Sequence, residues 1–364
     1  MANIFDYIKW RGDLTLKQSE FNEIDNLILS RFVYFPFDDI MQENEIVSIR
    51  ELGERFEKAT IDEVQILQKE DVDFFPLMAK TTRFGMMRAT KYVNKIDTAE
   101  EKQFSAITIL LPDDTIYVAY RGTDNTIVGW KEDFNLSFKS HVASQLDSVK
   151  YLENISQYYS NPIRVGGHSK GGNLAVYASV FVNKDIKDRI INVYNNDGPG
   201  FDDEIVALEQ YKQIIKKVHT YIPQESIFGR LLNHKEKYTI IESTQKGVMQ
   251  HDLYTWQLLG SEFIHLKEVT DGSKFVDKTL KDWLIQTDTK QREQLVDLVF
   301  QIINTTEAET LIDIKNKWLS NAKIIMKSYK NIDSESKQMV LKTLTSLFKI
   351  AKDNLLESNQ KNRK

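Results

Sequence analysis

The chain has 364 residues, of which 41% are hydrophobic and 28% charged, a balance typical of a soluble globular protein with a sizeable core. Its formal net charge of -5 gives no support to a nucleic-acid partner. The absence of cysteine excludes disulfides, thiolate nucleophiles and cysteine-ligated metal sites, and it fits the reducing conditions of the cytoplasm.

Residues 1–100 have a mainly helical pattern. The N-terminal stretch MANIFDYIKWRGD lacks the basic segment and apolar run of a signal peptide. No run of eighteen apolar residues occurs, so we expect no transmembrane helix. We therefore expect a cytoplasmic protein, and a peripheral membrane contact stays open.

Residues 101–270 alternate between strand and helix patterns. Two β-rich runs, SAITILLP and TIYVAYRG, meet at Asp113 and Asp114 and predict a hairpin. Further β-rich runs are PIRVGGH, RIINVYNN, KKVHTYI and KYTIIES, with helical patterns between most of them. Strands that alternate with helices predict a largely parallel sheet that helices cover on both faces.

Residues 271–364 return to a helical pattern. One predicted helix face carries apolar residues at the spacing i, i+3, i+4, i+7: Leu295, Leu298, Val299 and Ile302. No internal repeat or low-complexity linker divides the chain. We therefore expect one domain over residues 1–364, with a helical N-terminal part (1–100), a catalytic core (101–270) and a helical C-terminal part (271–364).

The stretch RVGGHSKGGNLAVYAS, residues 164–179, carries four of the chain's fifteen glycines within three residues of Ser169. Gly167-His168-Ser169-Lys170-Gly171 matches G-x-S-x-G, the nucleophile elbow. A β-rich run precedes the serine and a helical pattern follows it, so strand and helix must pass close together where glycine alone leaves room. Ser169 is thus the predicted nucleophile, and a glycine-rich turn with a capping serine is the other interpretation.

The start of the helix after Ser169 is predicted to contribute to an oxyanion hole. Free N–H groups at a helix N-terminus favour negative charge, so the N–H of Lys170 is expected to form one half of an oxyanion hole. A serine nucleophile also needs a base, and the α/β-hydrolase order is serine, acid, histidine.

Three histidines downstream of the nucleophile strand are candidates for the base: His234, His251 and His265. We favour His251, because STQKGVMQHDLYTW has a loop-like pattern directly after the β-rich run KYTIIES. A base on such a loop has the reach to meet the serine. His265 lies in EFIHLKEV, whose alternation is typical of a regular element.

Several segments of the chain resemble an uncharacterised bacterial family of lipase-like α/β-hydrolases, distantly similar to class 3 lipases. The segments are YRGTDNTIVGWKEDFNLSF, GGHSKGGNLAVYA, NNDGPGF, IPQESIFGRLL and QHDLYTW. Class 3 lipases carry an R-G-T/S segment before a GHSLGG elbow. The resemblance implies an α/β-hydrolase fold, with a mostly parallel central sheet flanked by helices and with helical N- and C-terminal extensions. It also implies a Ser-His-Asp esterase or lipase.

Residue by residue, the resemblance matches Ser169 to the nucleophile and His251 to the base. Gly122 and Thr123 match the segment that gives class 3 lipases a second oxyanion donor. RGTD follows the strand pattern TIYVAY directly, so its N–H groups are expected at the active edge of the sheet; a plain turn is the other interpretation. Lys170 stands where lipases usually carry an apolar residue, which predicts a preference for polar or anionic substrates unless this lysine is merely solvated.

The acid of the triad has two candidates. Glu225 follows KKVHTYIPQ, where the usual hydrolase order and the class 3 lipases would have the acid. Asp197 follows the earlier run RIINVYNN and precedes the rigid turn Gly198-Pro199-Gly200. We favour Asp197, because NDGPGF is the family's most recognisable piece beside the elbow and relatives often carry serine in place of Glu225. Asparagines and a rigid turn also suit a carboxylate held by hydrogen bonds, although a turn-forming aspartate has the same pattern.

The sequence therefore predicts a serine hydrolase, esterase- or lipase-like, that acts on a small-molecule or lipid ester. No phosphate loop, H-E-x-x-H or EF-hand pattern occurs, so we expect no cofactor and no metal. The same residues would also serve acyl transfer to an acceptor other than water. A non-catalytic α/β-hydrolase-fold binding or interaction protein is the alternative, because a fold alone does not determine a function.

Overall fold

A computed structural model describes residues 2–60, 65–306, 308, 310, 313 and 318–361 of the chain. The chain divides into two compact units. The first unit consists of Met1–Ile96, Gln103–Gly122 and Ala143–Thr270. The second unit consists of Asp97–Lys102, Thr123–Val142 and Asp271–Lys364. That the chain forms one domain stays a prediction.

The helices that the structure describes lie in both units. In chain order they are α1 (Ile4–Arg11), α2 (Glu23–Phe32), α3 (Ile49–Lys58), α4 (Asp71–Ala79), α5 (Thr82–Gly85), α6 (Ile127–Asn135), α7 (Ala143–Tyr158), α8 (Lys170–Phe181), α9 (Lys184–Arg189), α10 (Asp203–Ala207), α11 (Glu209–Ile214), α12 (Asp271–Gln286), α13 (Thr289–Asn304), α14 (Trp318–Asn331) and α15 (Ser334–Lys361). Among the described residues, no helix combines the length and the apolar character that crossing a membrane requires.

The described strands form one large sheet and one small one. In chain order they are β1 (Ile46–Ser48), β2 (Arg88–Asp97), β3 (Lys102–Leu110), β4 (Ile116–Tyr120), β5 (Ile163–His168), β6 (Ile190–Asn196), β7 (Val218–Pro223), β8 (Tyr238–Ile241), β9 (Leu258–Leu259), β10 (Glu262–Phe263) and β11 (His265–Leu266). Within the described residues, the large sheet has nine strands in the order β1-β2-β3-β4-β5-β6-β7-β8-β11, and β9 pairs with β10.

The large sheet is mixed. Its neighbouring strands from β4 to β8 are all parallel, whereas β1 with β2, β3 with β4 and β8 with β11 pair in antiparallel fashion. The antiparallel pair β3 and β4 confirms the hairpin predicted at Asp113 and Asp114, and the four later β-rich runs are strands β5 to β8. A mixed sheet with flanking helices is the architecture of an α/β protein.

Two buried clusters cover the two faces of the sheet in the first unit. Along β4, Tyr117 and Ala119 join the cluster that contains Leu27 of α2, whereas Val118 joins the cluster that contains Leu174 of α8. Because successive side chains of a strand point to opposite faces, this alternation means that helices pack on both sides of the sheet.

Residues 1–100 contain helices α1–α5 and also strands β1 and β2, and the β-branched and aromatic residues of β2 suit a strand paired on both sides. One local expectation differs from the structure. The predicted helix of the C-terminal part is α13. Leu298 of the predicted face is buried, but Val299 is 40% exposed, while Val296 and Phe300 are buried against Ile127 of α6. The buried face is thus shifted from the predicted one.

Candidate active site

Ser169 and Asp197 lie side by side because they follow two neighbouring parallel strands. Ser169 comes directly after β5 and Asp197 directly after β6, and His168 pairs with Asn196 in the register of these strands. The N–H of Ser169 donates to the carbonyl oxygen of Asn196 at 2.9 Å. The carboxyl ends of parallel strands meet at one edge of a sheet, where α/β proteins bind their ligands.

The backbone at Ser169 has the strained turn that the sequence predicted. Its φ of 58° is in the left-handed region, and α8 begins at the next residue. A Cβ atom on Gly171 would lie 2.1 Å from the carbonyl oxygen of Tyr120, and one on Gly167 would lie 2.3 Å from the carbonyl carbon of Gly171. Strand and helix therefore approach too closely here for any side chain.

The Ser169 side chain is half-buried and makes no capping hydrogen bond to α8. This geometry argues against an ordinary capping serine, which would accept a hydrogen bond from a backbone N–H of the first turn.

His251 contacts Asp197 directly. Nδ1 of His251 lies 2.6 Å from Oδ2 of Asp197, and the two side chains are 21% and 1% exposed. His251 ends a short 3-10 helix, Gly247–His251, that follows β8. A carboxylate accepts hydrogen bonds, so Nδ1 carries the proton, and Nε2 of a neutral ring is then the basic nitrogen.

The other oxygen of Asp197 is also held. Oδ1 accepts a hydrogen bond from the Ser226 hydroxyl and another from the N–H of Gly229 at 3.1 Å. The N–H of Asp197 donates to the carbonyl oxygen of Tyr221 at 2.9 Å. These contacts fix the carboxylate in the orientation that meets His251.

Glu225, the alternative acid, contacts the backbone that precedes His251. Its Oε2 accepts from the N–H of Gly247 at 2.6 Å, and its own N–H donates to Oε1 of Gln250 at 2.8 Å. Glu225 thus anchors the 3-10 helix on which His251 lies.

The remaining candidate histidines have carboxylate partners of their own. Nδ1 of His234 lies 2.8 Å from Oε1 of Glu236, and Nε2 of His265 lies 3.3 Å from Oε1 of Glu23. Burial would raise the pKa of Glu236, but hydrogen bonds from His234 and Tyr211 outweigh it and lower this pKa to about 2.

The three predicted oxyanion residues differ in their positions and in their hydrogen-bond partners. The N–H of Gly122 donates to the hydroxyl of Tyr34 at 2.9 Å, and a Cβ atom on Gly122 would lie 3.1 Å from Cβ of Ser169. Lys170 begins α8, so its N–H lies at the helix start. The hydroxyl of Thr123, in the second unit, donates to Oδ2 of Asp133 at 2.5 Å.

The Lys170 side chain is buried and hydrogen-bonded inside the protein. Lys170 is 1% exposed, and its Nζ donates to the backbone oxygen of Gln103 at 3.0 Å and to the side-chain oxygen at 2.9 Å. Both interpretations from the sequence, a substrate contact and a solvated lysine, are therefore wrong for this side chain.

Sequence reasoning missed the residues that hold the candidate triad. Ser226 and Gly229 bind Asp197, while His168 and Tyr34 contact His251 and Gly122. Of these residues, His168 could have been singled out from the sequence, since it lies inside the elbow motif.

In the part of the chain that the structure describes, no group of three or more potential ligands is arranged for a metal ion.

Comparison with known proteins gives one family. The family model "Mbeg1-like" matches residues 78–301, which is more than half of the chain. No curated protein matches the sequence.

Solved structures of lipases are weakly similar to this chain. Lipase II from Rhizopus niveus is 14% identical with a TM-score of 0.36, and the match covers 55% of this chain and 84% of that one. M37 lipase is 16% identical with a TM-score of 0.38, covering 57% and 69% of the two chains. The native Rhizomucor miehei lipase propeptide complex is 16% identical with a TM-score of 0.33, covering 49% and 70%.

Proposed function

The chain belongs to the Mbeg1-like family, a lipase-like family, and on this basis we propose that it is a serine hydrolase acting on an ester or acyl substrate. Ser169 is the proposed nucleophile, His251 the base and Asp197 the acid. The observation that carries the proposal is the 2.6 Å contact of His251 with Asp197, a buried carboxylate at the strand end next to the strained Ser169.

In the proposed reaction, Nε2 of His251 takes the proton of the Ser169 hydroxyl while Oγ attacks the carbonyl carbon of the ester. The tetrahedral intermediate collapses, the alcohol leaves with the proton from His251, and an acyl group stays on Oγ. Water then attacks the acyl carbon and gives a proton to His251; the bond to Oγ breaks, His251 returns that proton to Oγ, and the carboxylic acid is released. Asp197 keeps its hydrogen bond to Nδ1 throughout and stabilises the imidazolium.

The oxyanion of the intermediate requires N–H donors. We assign one donor to the N–H of Lys170 at the start of α8, as the helix terminus favours negative charge. Gly122 and Thr123 are the second proposed segment, and Thr123 follows Gly122 directly. In the structure, the Gly122 N–H donates to the hydroxyl of Tyr34 at 2.9 Å.

The substrate in this proposal is a small-molecule or lipid ester, and the proposed location is the cytoplasm. A fluorophosphonate probe tests the activated serine without knowledge of the substrate, because it reacts with nucleophilic hydroxyls. We expect labelling that peptide mapping assigns to Ser169 and that Ser169→Ala abolishes. A folded protein that the probe does not label would favour the non-catalytic binding protein instead.

A further inference from the structure

His168, the residue before the proposed nucleophile, contacts the loop of the proposed base. It is 6% exposed, and its Nε2 lies 2.8 Å from the backbone carbonyl oxygen of His251. A carbonyl oxygen only accepts, so Nε2 of His168 carries the hydrogen. The rings of His168 and His251 also lie with their centroids 4.4 Å apart. Ser169 and His251 are thus joined through one buried imidazole.

The environment of His168 keeps this imidazole neutral. Burial, together with the charges of His251 and Arg31, lowers the pKa of His168 well below its usual range. With the hydrogen on Nε2, Nδ1 of the neutral ring is an acceptor, and it lies 3.4 Å from the hydroxyl of Tyr34. His168 therefore donates on one side and faces a hydroxyl on the other.

Tyr34 joins the same elbow to the predicted oxyanion segment. Its hydroxyl accepts the N–H of Gly122 at 2.9 Å and donates to the backbone oxygen of His168 at 3.1 Å. The ring lies under the guanidinium of Arg31 at 4.7 Å, and Nε of Arg31 donates to Asp71 at 2.7 Å. The tyrosine is therefore held at both its ring and its hydroxyl.

We propose that Tyr34 and His168 are positioning residues that tie three segments together: the turn at Gly122, the elbow at Ser169 and the loop of His251. The inference rests on the proposed function. Neither residue contacts substrate in this account, because each acts through the backbone of a neighbouring segment. Hydrolysis requires these three segments at fixed positions relative to one another, and misplacement of reacting groups by about 1 Å can lower a rate about a hundredfold.

Two pairs of variants separate positioning from packing. His168→Leu removes the donor to His251, whereas His168→Gln keeps an N–H donor at a similar reach. Tyr34→Phe removes the hydroxyl and keeps the ring under Arg31. Tyr151→Phe is the matched control, since the buried Tyr151 hydroxyl likewise bonds a backbone oxygen, that of Lys91, at 2.8 Å.

The measurements are kcat and KM on a p-nitrophenyl ester, the rate of fluorophosphonate labelling of Ser169, and thermal unfolding. We expect Tyr34→Phe and His168→Leu to lower kcat and labelling roughly tenfold to a hundredfold with KM changed less than about twofold. His168→Gln recovers most of this loss, and Tyr151→Phe retains wild-type kcat even if its stability falls.

Different outcomes overturn different claims. Wild-type rates in folded Tyr34→Phe and His168→Leu, or equal losses in Tyr151→Phe and in His168→Gln, would overturn the positioning role and leave the hydrolase intact. A wild-type protein that neither hydrolyses esters nor reacts with the probe would overturn the proposed function and this inference together. If His168→Leu does not fold, the comparison of His168→Gln with Tyr34→Phe still decides, since the inference requires the first to be active and the second to be slow.

Discussion

Nδ1 of His251 lies 2.6 Å from Oδ2 of Asp197, and Asp197 is fully buried at the end of β6. A buried carboxylate is costly unless hydrogen bonds compensate for the lost water. Here His251, Ser226 and Gly229 supply these bonds. The carboxylate in turn holds the Nδ1 edge of the imidazole, and in the proposed mechanism the consequence of this contact is that Nε2 acts as the base.

Substitution of Asp197 by asparagine tests that consequence. The Asn amide offers an N–H in place of an oxygen, which favours the wrong imidazole tautomer. We expect Asp197→Asn to lower kcat by about 10⁴-fold, as in the serine-protease precedent. Steady-state hydrolysis of p-nitrophenyl esters measures the effect, with circular dichroism as the check on folding.

Glu225→Gln is the matched variant for the rival acid. Because Glu225 contacts the N–H of Gly247 and not the ring of His251, we expect a loss of less than about tenfold. If the kcat of Glu225→Gln falls steeply while that of Asp197→Asn stays near the wild-type value, Glu225 is the acid and our assignment is wrong.

Ser226 is expected to act through Asp197. Its hydroxyl donates to Oδ1, so Ser226→Ala leaves this buried oxygen with only the N–H of Gly229. We predict a fall in kcat of about tenfold and a loss of about 1–3 kcal/mol in the free energy of unfolding. Ser148→Ala is the control, because the buried Ser148 hydroxyl bonds the backbone oxygen of Gln145 at 2.7 Å; an equal kcat loss there would contradict the role of Ser226.

Because the Lys170 side chain is buried, we expect it to contribute to the stability of the fold and not to the enzyme's preference for charged substrates. Lys170→Met removes the donor to both oxygens of Gln103, and we expect the free energy of unfolding to fall by about 1–3 kcal/mol. The ratio of turnover on anionic and neutral esters should stay unchanged, since Nζ is buried on Gln103. A clear shift of that ratio in a folded variant would restore the substrate contact expected from the sequence.

His168 predicts a dependence of stability on pH. Burial lowers its pKa in the folded state below the ordinary 6.5, so the unfolded chain binds the proton first. The stability from neutral His168 is complete above that ordinary value and is lost as pH falls towards the folded-state pKa. Urea unfolding at about pH 7.5 and about pH 5.5 should show a decrease that is smaller in His168→Gln by about 1 kcal/mol. The same decrease in both proteins would refute this contribution.

Local features of the sequence were sufficient to predict the elbow and the strands around it. The G-x-S-x-G motif between a β-rich run and an apolar helical pattern determines the strand-turn-helix at Ser169, because the glycines and the turn act within a few residues. The runs that form β3 to β8 were likewise recognisable from their β-branched and aromatic residues.

The contacts of the site between residues far apart in the chain could not be predicted from local sequence patterns. Tyr34 is 88 residues from Gly122 in the chain, and no pattern around it marks the contact. Lys170 has the local sequence of an exposed helix start, yet Gln103, 67 residues away, binds its ammonium in the interior. Tertiary packing, not propensity, decides such cases.

Ester hydrolysis by the wild-type protein and by Ser169→Ala, on p-nitrophenyl esters of graded chain length, decides whether Ser169 is the nucleophile. We predict turnover by the wild type on at least one ester. We also predict a loss of at least about a thousandfold in kcat for the alanine variant, whose unfolding transition stays cooperative. Equal turnover by the two proteins would contradict the assignment of Ser169 as the nucleophile, and with it the proposed hydrolase mechanism.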